Sequence, residues 1–278
     1  MDSQRRQIEP TLGENPVKNT TRYRRPCHSF PPLLLAALLF VLPAVTWAAD
    51  MRLYAAAAVK APLEEIARDF EAASGQRVAL VFDTAGAAER RFIADDGATF
   101  LVTTDTRLLA AEAAGKLRNG VMTAIGATVG GLAIAPGSKR PDISSPDTPR
   151  STLLAAQHIA FSDPARGATV GRHFMQVIEA LGIRDEVMKK ATLAADGIET
   201  MHLVLDGKAD LGITQVSEIM QADPAALLGP FPGQFDLASN YSLWLRADAP
   251  PGAKAFAALI GRGAERQRLL KHGLRLAE

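Results

Sequence analysis

The feature that most constrains the fold is a short apolar run followed by a loop of small residues and an amphipathic helix. Residues 159–161 read as a strand, and residues 163–171 (Asp-Pro-Ala-Arg-Gly-Ala-Thr-Val-Gly) form the loop. Apolar residues then recur at positions 170, 174, 177, 178 and 181, which predicts one buried helical face. A helix start presents about four unpaired backbone N–H groups to a ligand. Taken alone, the loop fits either a ligand site or a plain connection.

The same alternation recurs along the chain. Apolar runs at 51–56, 77–82, 100–103, 127–135, 159–161, 191–193, 209–214 and 241–245 predict strands. Helical spacing predicts helices between most of them, with two more at 253–260 and 264–271. Short strands alternating with helices favour an α/β fold with a mostly parallel sheet. The pattern falls into two α/β halves, and a cleft between two such lobes is a common ligand site.

The N-terminal region predicts export. Arg22, Arg24 and Arg25 precede an apolar run at residues 31–45, which is followed by small residues up to Ala48. This order is typical of a secretory signal peptide cleaved near Ala48. The run is short for a membrane span of about 20 residues, so an uncleaved anchor is the less favoured alternative. The export route and the true start codon remain open.

Composition excludes several classes of function. Lys and Arg total 31 against 30 Asp and Glu, so no basic bias indicates a nucleic-acid partner. The only cysteine precedes the predicted cleavage point, so the mature chain can form no internal disulfide. Its histidines (His158, His173, His202 and His272) are far apart and predict no metal site. No nucleophile elbow, P-loop or dinucleotide fingerprint occurs, so we predict no catalytic residue and no cofactor.

Four stretches together resemble the molybdate-type solute-binding proteins of ABC importers. Residues 54–59 (Tyr-Ala-Ala-Ala-Ala-Val) resemble the family's Ala-Ala-Ala-Ser-Leu opening, and residues 82–87 (Phe-Asp-Thr-Ala-Gly-Ala) resemble its second ligand loop. Residues 161–183 are similar to its Asp-Pro, Gly and helix segment. Residues 205–213, with Lys-Ala-Asp-Leu-Gly-Ile at their end, resemble the start of a later strand. In order and spacing, the set covers most of residues 51–235.

The resemblance implies a type 2 periplasmic-binding fold, with two lobes, two hinge crossings and a ligand cleft between the lobes. It implies a first lobe from 49–130, a second lobe from 131–228, and a return to the first lobe with the C-terminal helices at 229–278. It also implies a periplasmic monomer that works with the membrane subunits of an ABC importer. The family holds a tetrahedral oxyanion with hydroxyls and backbone N–H groups rather than with Lys or Arg.

The ligand residues carried over by the resemblance are partly changed in this chain. The serines of the first and second loops fall on Ala58 and beside Thr84 on Ala85, and the family's tyrosine falls on Gln215. A lost donor to a buried anion costs roughly 1–3 kcal/mol or more, so the usual molybdate set is incomplete. Our predicted ligand-binding residues are Ala58, Thr84, Ala85, Ala168, Thr169, Gln215 and Ser217.

Three hypotheses of function follow. The first is an exported protein that captures a small oxyanion or other small polar solute and delivers it to an importer. The second is a degenerate member that acts as an extracytoplasmic sensory or protein-interaction module, which a collapsed or apolar cleft would favour. The third is a secreted enzyme on the same scaffold, which an unexpected cluster of carboxylates and histidine in the cleft would favour, because a fold does not fix a function.

Overall fold

The computed structural model describes residues 51–117, 119–143 and 148–276. The predicted signal peptide lies outside these residues. Within them, no helix combines the length and apolar character needed to cross a bilayer.

Nine strands and ten helices make up the described part of the chain. The strands are β1 (Met51–Ala56), β2 (Val78–Asp83), β3 (Ala98–Thr104), β4 (Gly120–Ile134), β5 (Ile159–Ser162), β6 (Ala191–Ala194), β7 (Leu211–Gln215), β8 (Leu227–Pro230) and β9 (Ala238–Arg246). The helices are α1 (Lys60–Ser74), α2 (Ala85–Ile93), α3 (Asp105–Ala113), α4 (Thr148–Ala155), α5 (Thr169–Ala180), α6 (Arg184–Met188), α7 (Gly197–Leu205), α8 (Val216–Ala222), α9 (Pro251–Ile260) and α10 (Gly263–Lys271).

The strands form a mixed sheet in the order β2-β1-β3-β9-β4-β7-β5-β6, with β8 paired to β4. Pairs β1–β2, β1–β3, β5–β6 and β5–β7 are parallel. The pairings made by β4 and β9 are antiparallel. Each half therefore contains three parallel strands, β2-β1-β3 in one and β7-β5-β6 in the other, and the antiparallel strands β4 and β9 make the sheet as a whole mixed rather than mostly parallel.

The long strand β4 joins two lobes. Its pairing with β9 runs as far as Val129, and its pairing with β7 begins at Gly130. We call β1, β2, β3, β9 and the start of β4, with their helices, the first lobe. The second lobe comprises β5, β6, β7, β8 and the end of β4, with their helices. The lobe boundaries inferred from the resemblance stay predictions.

Each lobe has its own apolar core. In the first lobe, α1 buries Leu63, Ile66 and Phe70, which recur at helical spacing in the sequence. In the second lobe, α5 buries Phe174, whose ring packs edge-on against Phe161 at a centroid distance of 4.9 Å. Edge-on aromatic pairs add to the stabilisation that burial alone provides.

Helix ends follow the glycine signals in the sequence. Gly75 ends α1 with φ of 67°, and its N–H donates to the carbonyl of Glu71 at 2.8 Å. This left-handed residue is a common helix C-terminus, where glycine avoids the steric penalty of a Cβ.

Several elements depart from the sequence prediction. The strand β4 begins at Gly120 rather than near residue 127, because its first half is held by pairing with β9 although much of it is exposed. The connection predicted for residues 136–149 ends earlier, since α4 begins at Thr148. The short elements α6 and β8 were not predicted, because runs of four or five residues carry little periodicity.

Candidate ligand-binding site

Four strand ends meet between the lobes. The strands β1 and β2 end at Ala56 and Asp83 in the first lobe, and β5 and β7 end at Ser162 and Gln215 in the second. Each is followed within a few residues by a helical turn or a helix. Ligands of α/β proteins commonly bind outside the carboxyl ends of strands, and these loops surround one small cavity.

The cavity measures about 20 Å³, little more than the roughly 10–15 Å³ that one water needs. Its lining draws on both lobes: Ala56, Ala57, Ala58, Thr84, Ala85, Ser162, Ala168, Thr169, Val170, Gly197, Gln215, Glu218 and Tyr241. None of these residues is Lys or Arg. The lobes are therefore closed over a polar space that carries no cationic side chain.

Two larger hollows lie elsewhere. One of about 660 Å³ lies beside Trp244 and Arg246, and one of about 480 Å³ lies beside Asp210. Neither is lined by the loops that follow β1, β2 and β5. Size alone favours these hollows, but the small cavity brings together the helix starts and buried polar atoms that can orient a ligand.

Six of the seven predicted site residues line this cavity: Ala58, Thr84, Ala85, Ala168, Thr169 and Gln215. Ser217 does not. Its N–H donates to Thr128 Oγ1 at 3.1 Å, and its Cα lies against Gly273. The reason is helical geometry, because a residue two positions after Gln215 lies on a different face of α8. A direct ligand role for the six remains a prediction.

The hydroxyl of Thr84 is already occupied. It accepts the N–H of Ala87 at 3.2 Å as the N-cap of α2, and it donates to the carbonyl of Arg166 at 2.6 Å across the cleft. In the closed form this side chain therefore holds the lobes together rather than facing a ligand.

Thr169 and Gln215 each carry a buried polar atom that finds no partner among the described residues, Thr169 Oγ1 and Gln215 Oε1. Thr169 opens α5, so its hydroxyl lies beside the unpaired N–H groups of that helix start. The amide nitrogen of Gln215 donates to Ser239 Oγ at 3.1 Å and to Tyr241 Oη at 3.2 Å. Buried polar atoms without partners are uncommon in folded proteins, so these two are candidate ligand contacts.

Glu218 is one of the cavity residues that sequence reasoning missed. It is 6% exposed, and its Oε2 accepts hydrogen bonds from the hydroxyl of Thr214 and, at 3.0 Å, from the N–H of Gln215. Burial raises the pKa of its carboxyl to about 7, opposed by these two hydrogen bonds and reinforced by the charge of Asp196. A glycine at 197 makes room for it, because a Cβ there would lie 1.9 Å from Oε2.

Tyr241 was predicted only as part of a strand. It is buried at the cavity wall, and burial, followed by the charge of Glu218, raises the pKa of its phenol. Because its oxygen accepts a hydrogen bond from the side-chain N–H of Gln215, its own proton is free to point elsewhere.

The spacing of Gln215 and Glu218 after a strand could have drawn attention to Glu218, but nothing in the local sequence connects either residue to Tyr241.

The lobes contact each other directly around the cavity. The carboxylate of Asp83 pairs with Arg166 at 3.1 Å, and the N–H of Gly86 donates to the carbonyl of Gly167 at 3.2 Å. On the other side, Gln221 accepts the N–H of residue 61 and donates to the carbonyl of residue 58, both at 2.8 Å. These contacts fix the closed arrangement from two sides.

The histidines lie apart from the cavity. His173 Nε2 is 2.7 Å from the carbonyl of Phe235, and His272 Nε2 is 2.9 Å from Glu65 Oε1. In the part of the chain that the structure describes, no group of three or more His, Cys, Asp or Glu is placed to hold a metal ion.

The fold and the cavity define a two-lobed α/β solute-binding protein with its candidate site between the lobes. Residues 51–275 match the profile of the bacterial extracellular solute-binding proteins. The chain belongs to this family.

Solved structures of the same fold include binding proteins for small anions. The chain is similar to the periplasmic molybdate-binding protein of Azotobacter vinelandii, with 19% identity, a TM-score of 0.63, and coverage of 82% of this chain and 100% of that one. It is also similar to L-phospholactate-bound PEB3, a protein known from Campylobacter jejuni, with 14% identity, a TM-score of 0.61 and the same coverages. At identities of 19% and 14%, these similarities show a shared fold and not a shared ligand.

A curated relative is an enzyme. The chain is 24% identical over 238 residues to an aconitate isomerase from a Pseudomonas species, covering 81% of this chain and 88% of that protein. The family is described as solute-binding, whereas this relative is named for an isomerisation.

Proposed function

We propose that this chain is an exported, periplasmic binding protein that captures a small oxyanion or other small polar solute between its lobes and delivers it to an ABC importer. The observation that carries the proposal is the closed cavity lined by helix starts and by the buried hydroxyl of Thr169, with no Lys or Arg among its lining residues. Helix N-termini bind anions through backbone N–H groups and a partial positive charge of about half an electron.

Closure supports the same proposal. A ligand that fills the space between helix starts of both lobes would add contacts only when the lobes are closed, and hinge closure of this kind is a known form of ligand response. The polar lining differs from the apolar cleft expected of the degenerate, non-binding alternative, but a closed volume of about 20 Å³ is as small as the collapsed cleft that this alternative also allows. Ligand titration distinguishes the two.

A thermal-shift experiment tests the proposal with the mature chain and a panel of small oxyanions and hydroxy acids. A ligand at 100 times its dissociation constant stabilises the folded state by about 2.7 kcal/mol. For a chain of this size, that corresponds to a rise in Tm of roughly 5–10 °C. The variant Thr169→Val, which lacks the unpartnered hydroxyl of the cavity, should show a smaller ligand-induced rise in Tm. If no compound moves the Tm of the wild-type chain, the proposal is wrong.

A second candidate is an isomerase acting on a small unsaturated carboxylate, favoured by one observation. Glu218 places a buried carboxyl with a pKa near neutrality at the cavity wall, and groups of that kind serve as general acids and bases. The enzymatic relative gives aconitate as the first compound to test. The closed cavity of about 20 Å³ has room for little more than one water, so both candidates require the lobes to open further around the ligand, and a tricarboxylate requires more opening than a small oxyanion.

The isomerase reading has its own assay. The chain is incubated with either geometric isomer of aconitate in deuterated water, and the products are followed by NMR. Conversion that Glu218→Gln abolishes would establish the second candidate, whereas an unchanged isomer over long incubation would exclude it for this substrate.

A further inference from the structure

The walls of the cavity offer two different kinds of polar group. The turn at 57–59 and the start of α5 at Thr169 offer backbone N–H groups, which suit a negatively charged oxygen. Glu218 offers a carboxylate, which accepts hydrogen bonds when ionised and repels an anion. A site built only for a fully ionised oxyanion would not place a carboxylate at its wall.

The carboxylate of Glu218 has one oxygen left over. Both hydrogen bonds that the carboxylate accepts, from the hydroxyl of Thr214 and from the N–H of Gln215, fall on Oε2. Within the described residues, Oε1 accepts no hydrogen bond. Because Oε2 is anchored from two directions, the free oxygen is held in position at the cavity wall. When ionised, it can accept a hydrogen bond from a ligand. When protonated, it can donate a hydrogen bond to one.

The surroundings of Glu218 contain no compensating cation. The charge of Asp196, before α7, disfavours ionisation of Glu218 further, and Tyr241 on β9 has a pKa above its usual value and stays protonated. On α7, Glu199 and His202 are exposed. The other elements packed against α8, which are β4, β7, β8 and the turns at 57–59 and 224–226, carry no titratable side chain.

We propose that Glu218 determines specificity: the cavity selects small oxyacids that keep a hydrogen-bond donor, such as a 2-hydroxy acid. A fully ionised tetrahedral oxyanion then binds only when Glu218 carries a proton. This inference rests on the proposed function, because it names the ligand class of the same cavity. It departs from the anion sites implied by the resemblance, in which neutral donors alone hold the ligand.

Two probes of similar size distinguish oxyacids that keep a hydrogen-bond donor from fully ionised oxyanions. Sulfate stays fully ionised between pH 5.5 and 8.5, and glycolate keeps its hydroxyl and its ionised carboxylate over the same range. With a Glu218 pKa of about 7, the dissociation constant for sulfate should rise about 30-fold from pH 5.5 to 8.5, since binding requires the protonated form. Glycolate should lose little affinity, and at pH 8.5 it should bind more tightly than acetate, which lacks the hydroxyl.

Calorimetry on the wild-type chain supplies the first measurement. Titrations of sulfate at pH 8 in buffers of different ionisation enthalpy should show uptake of about one proton per anion bound. Because this readout needs no variant, it tests the inference even if a substitution impairs folding.

Glu218→Gln supplies the second measurement. The amide keeps an oxygen for Thr214 and the Gln215 N–H and places a neutral donor at the position of Oε1. Sulfate should then bind with the same affinity at both pH values, and the preference for glycolate at pH 8.5 should disappear. The control is Glu112→Gln, an exposed carboxylate on α3, which should leave both properties unchanged.

The outcomes distinguish this inference from the proposed function. If wild-type protein binds sulfate equally well at both pH values without proton uptake, the cavity is an anion site and the inference about Glu218 is wrong. If neither the wild-type chain nor Glu218→Gln binds any probe at either pH, both statements are wrong. Sulfate binding that appears only in Glu218→Gln would support the role of Glu218 even in a chain with weak natural affinity.

Discussion

The buried carboxyl of Glu218 leads to a prediction about stability that does not depend on any ligand. Burial raises its pKa from an ordinary 4.5 to about 7 in the folded chain. Between these values, the folded state binds a proton that the unfolded state releases. The stabilisation from that proton is therefore fully present below about pH 4.5 and is lost as the pH rises through 7.

The magnitude follows from the shift. The difference between 7 and 4.5 is about 2.5 pKa units, and each unit is worth about 1.36 kcal/mol. The free energy of unfolding should therefore fall by about 3 kcal/mol from this group alone between acid and alkaline pH. That is a large part of the roughly 5–15 kcal/mol by which domains are stable.

The comparison with Glu218→Gln isolates this contribution from all other titrating groups. Urea unfolding of both chains is measured at pH 5 and at pH 8.5, and the difference between their free energies of unfolding is taken at each pH. Because glutamine stays neutral and keeps an oxygen for Thr214 and Gln215, the variant should gain on the wild type by about 2–3 kcal/mol over this range, since part of the loss in the wild type has already occurred by pH 5. Glu112→Gln again serves as the exposed control.

The result that would refute the reasoning is simple to recognise. If the stability of the wild type and that of Glu218→Gln change in parallel from pH 5 to pH 8.5, the carboxyl of Glu218 has the same pKa in the folded and in the unfolded chain. It would then be hydrated in the folded chain rather than desolvated at the cavity wall.

Two further substitutions test the cavity and its closure. Thr169→Val should weaken binding of sulfate at pH 5.5 about tenfold, because a hydrogen bond to a charged group is lost, with little change in Tm. Ser217→Ala removes an equally buried hydroxyl outside the cavity, so an equal loss of affinity there would contradict the assignment. Gly86→Ala should hold the lobes apart, since a Cβ would lie 2.9 Å from the Cα of Gly167; small-angle scattering should then give a larger radius of gyration. Gly263→Ala, with nothing within 4 Å, should not change the scattering, and an unchanged Gly86→Ala would contradict direct contact between the lobes.

Local periodicity was enough to predict most elements. The stripe in α1 and the one in α5 appear in the sequence at helical spacing, and each helix buries the residues that its stripe predicts, except Leu181, which lies just past α5 and is only partly buried. The ends were predictable where a glycine adopts a left-handed conformation, as at Gly75. These features depend on residues within one or two turns of each other, so a sequence pattern can carry them.

The direction of the strands could not be predicted in the same way. The strand β9 returns from the second lobe and pairs antiparallel with both β3 and β4. Its sequence is compatible with either direction, because strand propensity reflects side-chain packing rather than orientation. The mixed character of the sheet arises from the connections between lobes, which no local pattern encodes.

The candidate site was predictable in its loops but not in its chemistry. The small-residue loop before α5 pointed to Thr169, and the family resemblance pointed to Ala58 and Ala85; all three line the cavity. The carboxyl of Glu218 was not predicted, because its desolvation depends on Gly197 and Tyr241, which other parts of the chain bring to it.

The two lobes contribute different things to the cavity, and this difference has a consequence for specificity. In the loops of the first lobe, Ala58 and Ala85 offer only backbone groups, and the hydroxyl of Thr84 is used to cap α2 and hold Arg166. The polar side chains of Thr169, Gln215 and Glu218 come from the second lobe, and the first lobe adds the phenol of Tyr241 from the strand β9 rather than from a loop.

A change that acts on closure weakens all ligands by the same factor, because every bound ligand needs the same closed form. A change in a side chain that touches the ligand alters the ratio between ligands, since specificity is a difference of affinities. Thr84→Val should therefore raise the dissociation constants of sulfate and glycolate in equal proportion at pH 8.5, whereas Glu218→Gln should change their ratio. Calorimetric titration of both variants with both probes makes the comparison. A changed ratio in Thr84→Val would mean that the first lobe reads the ligand directly, and the division of roles between the lobes would be wrong.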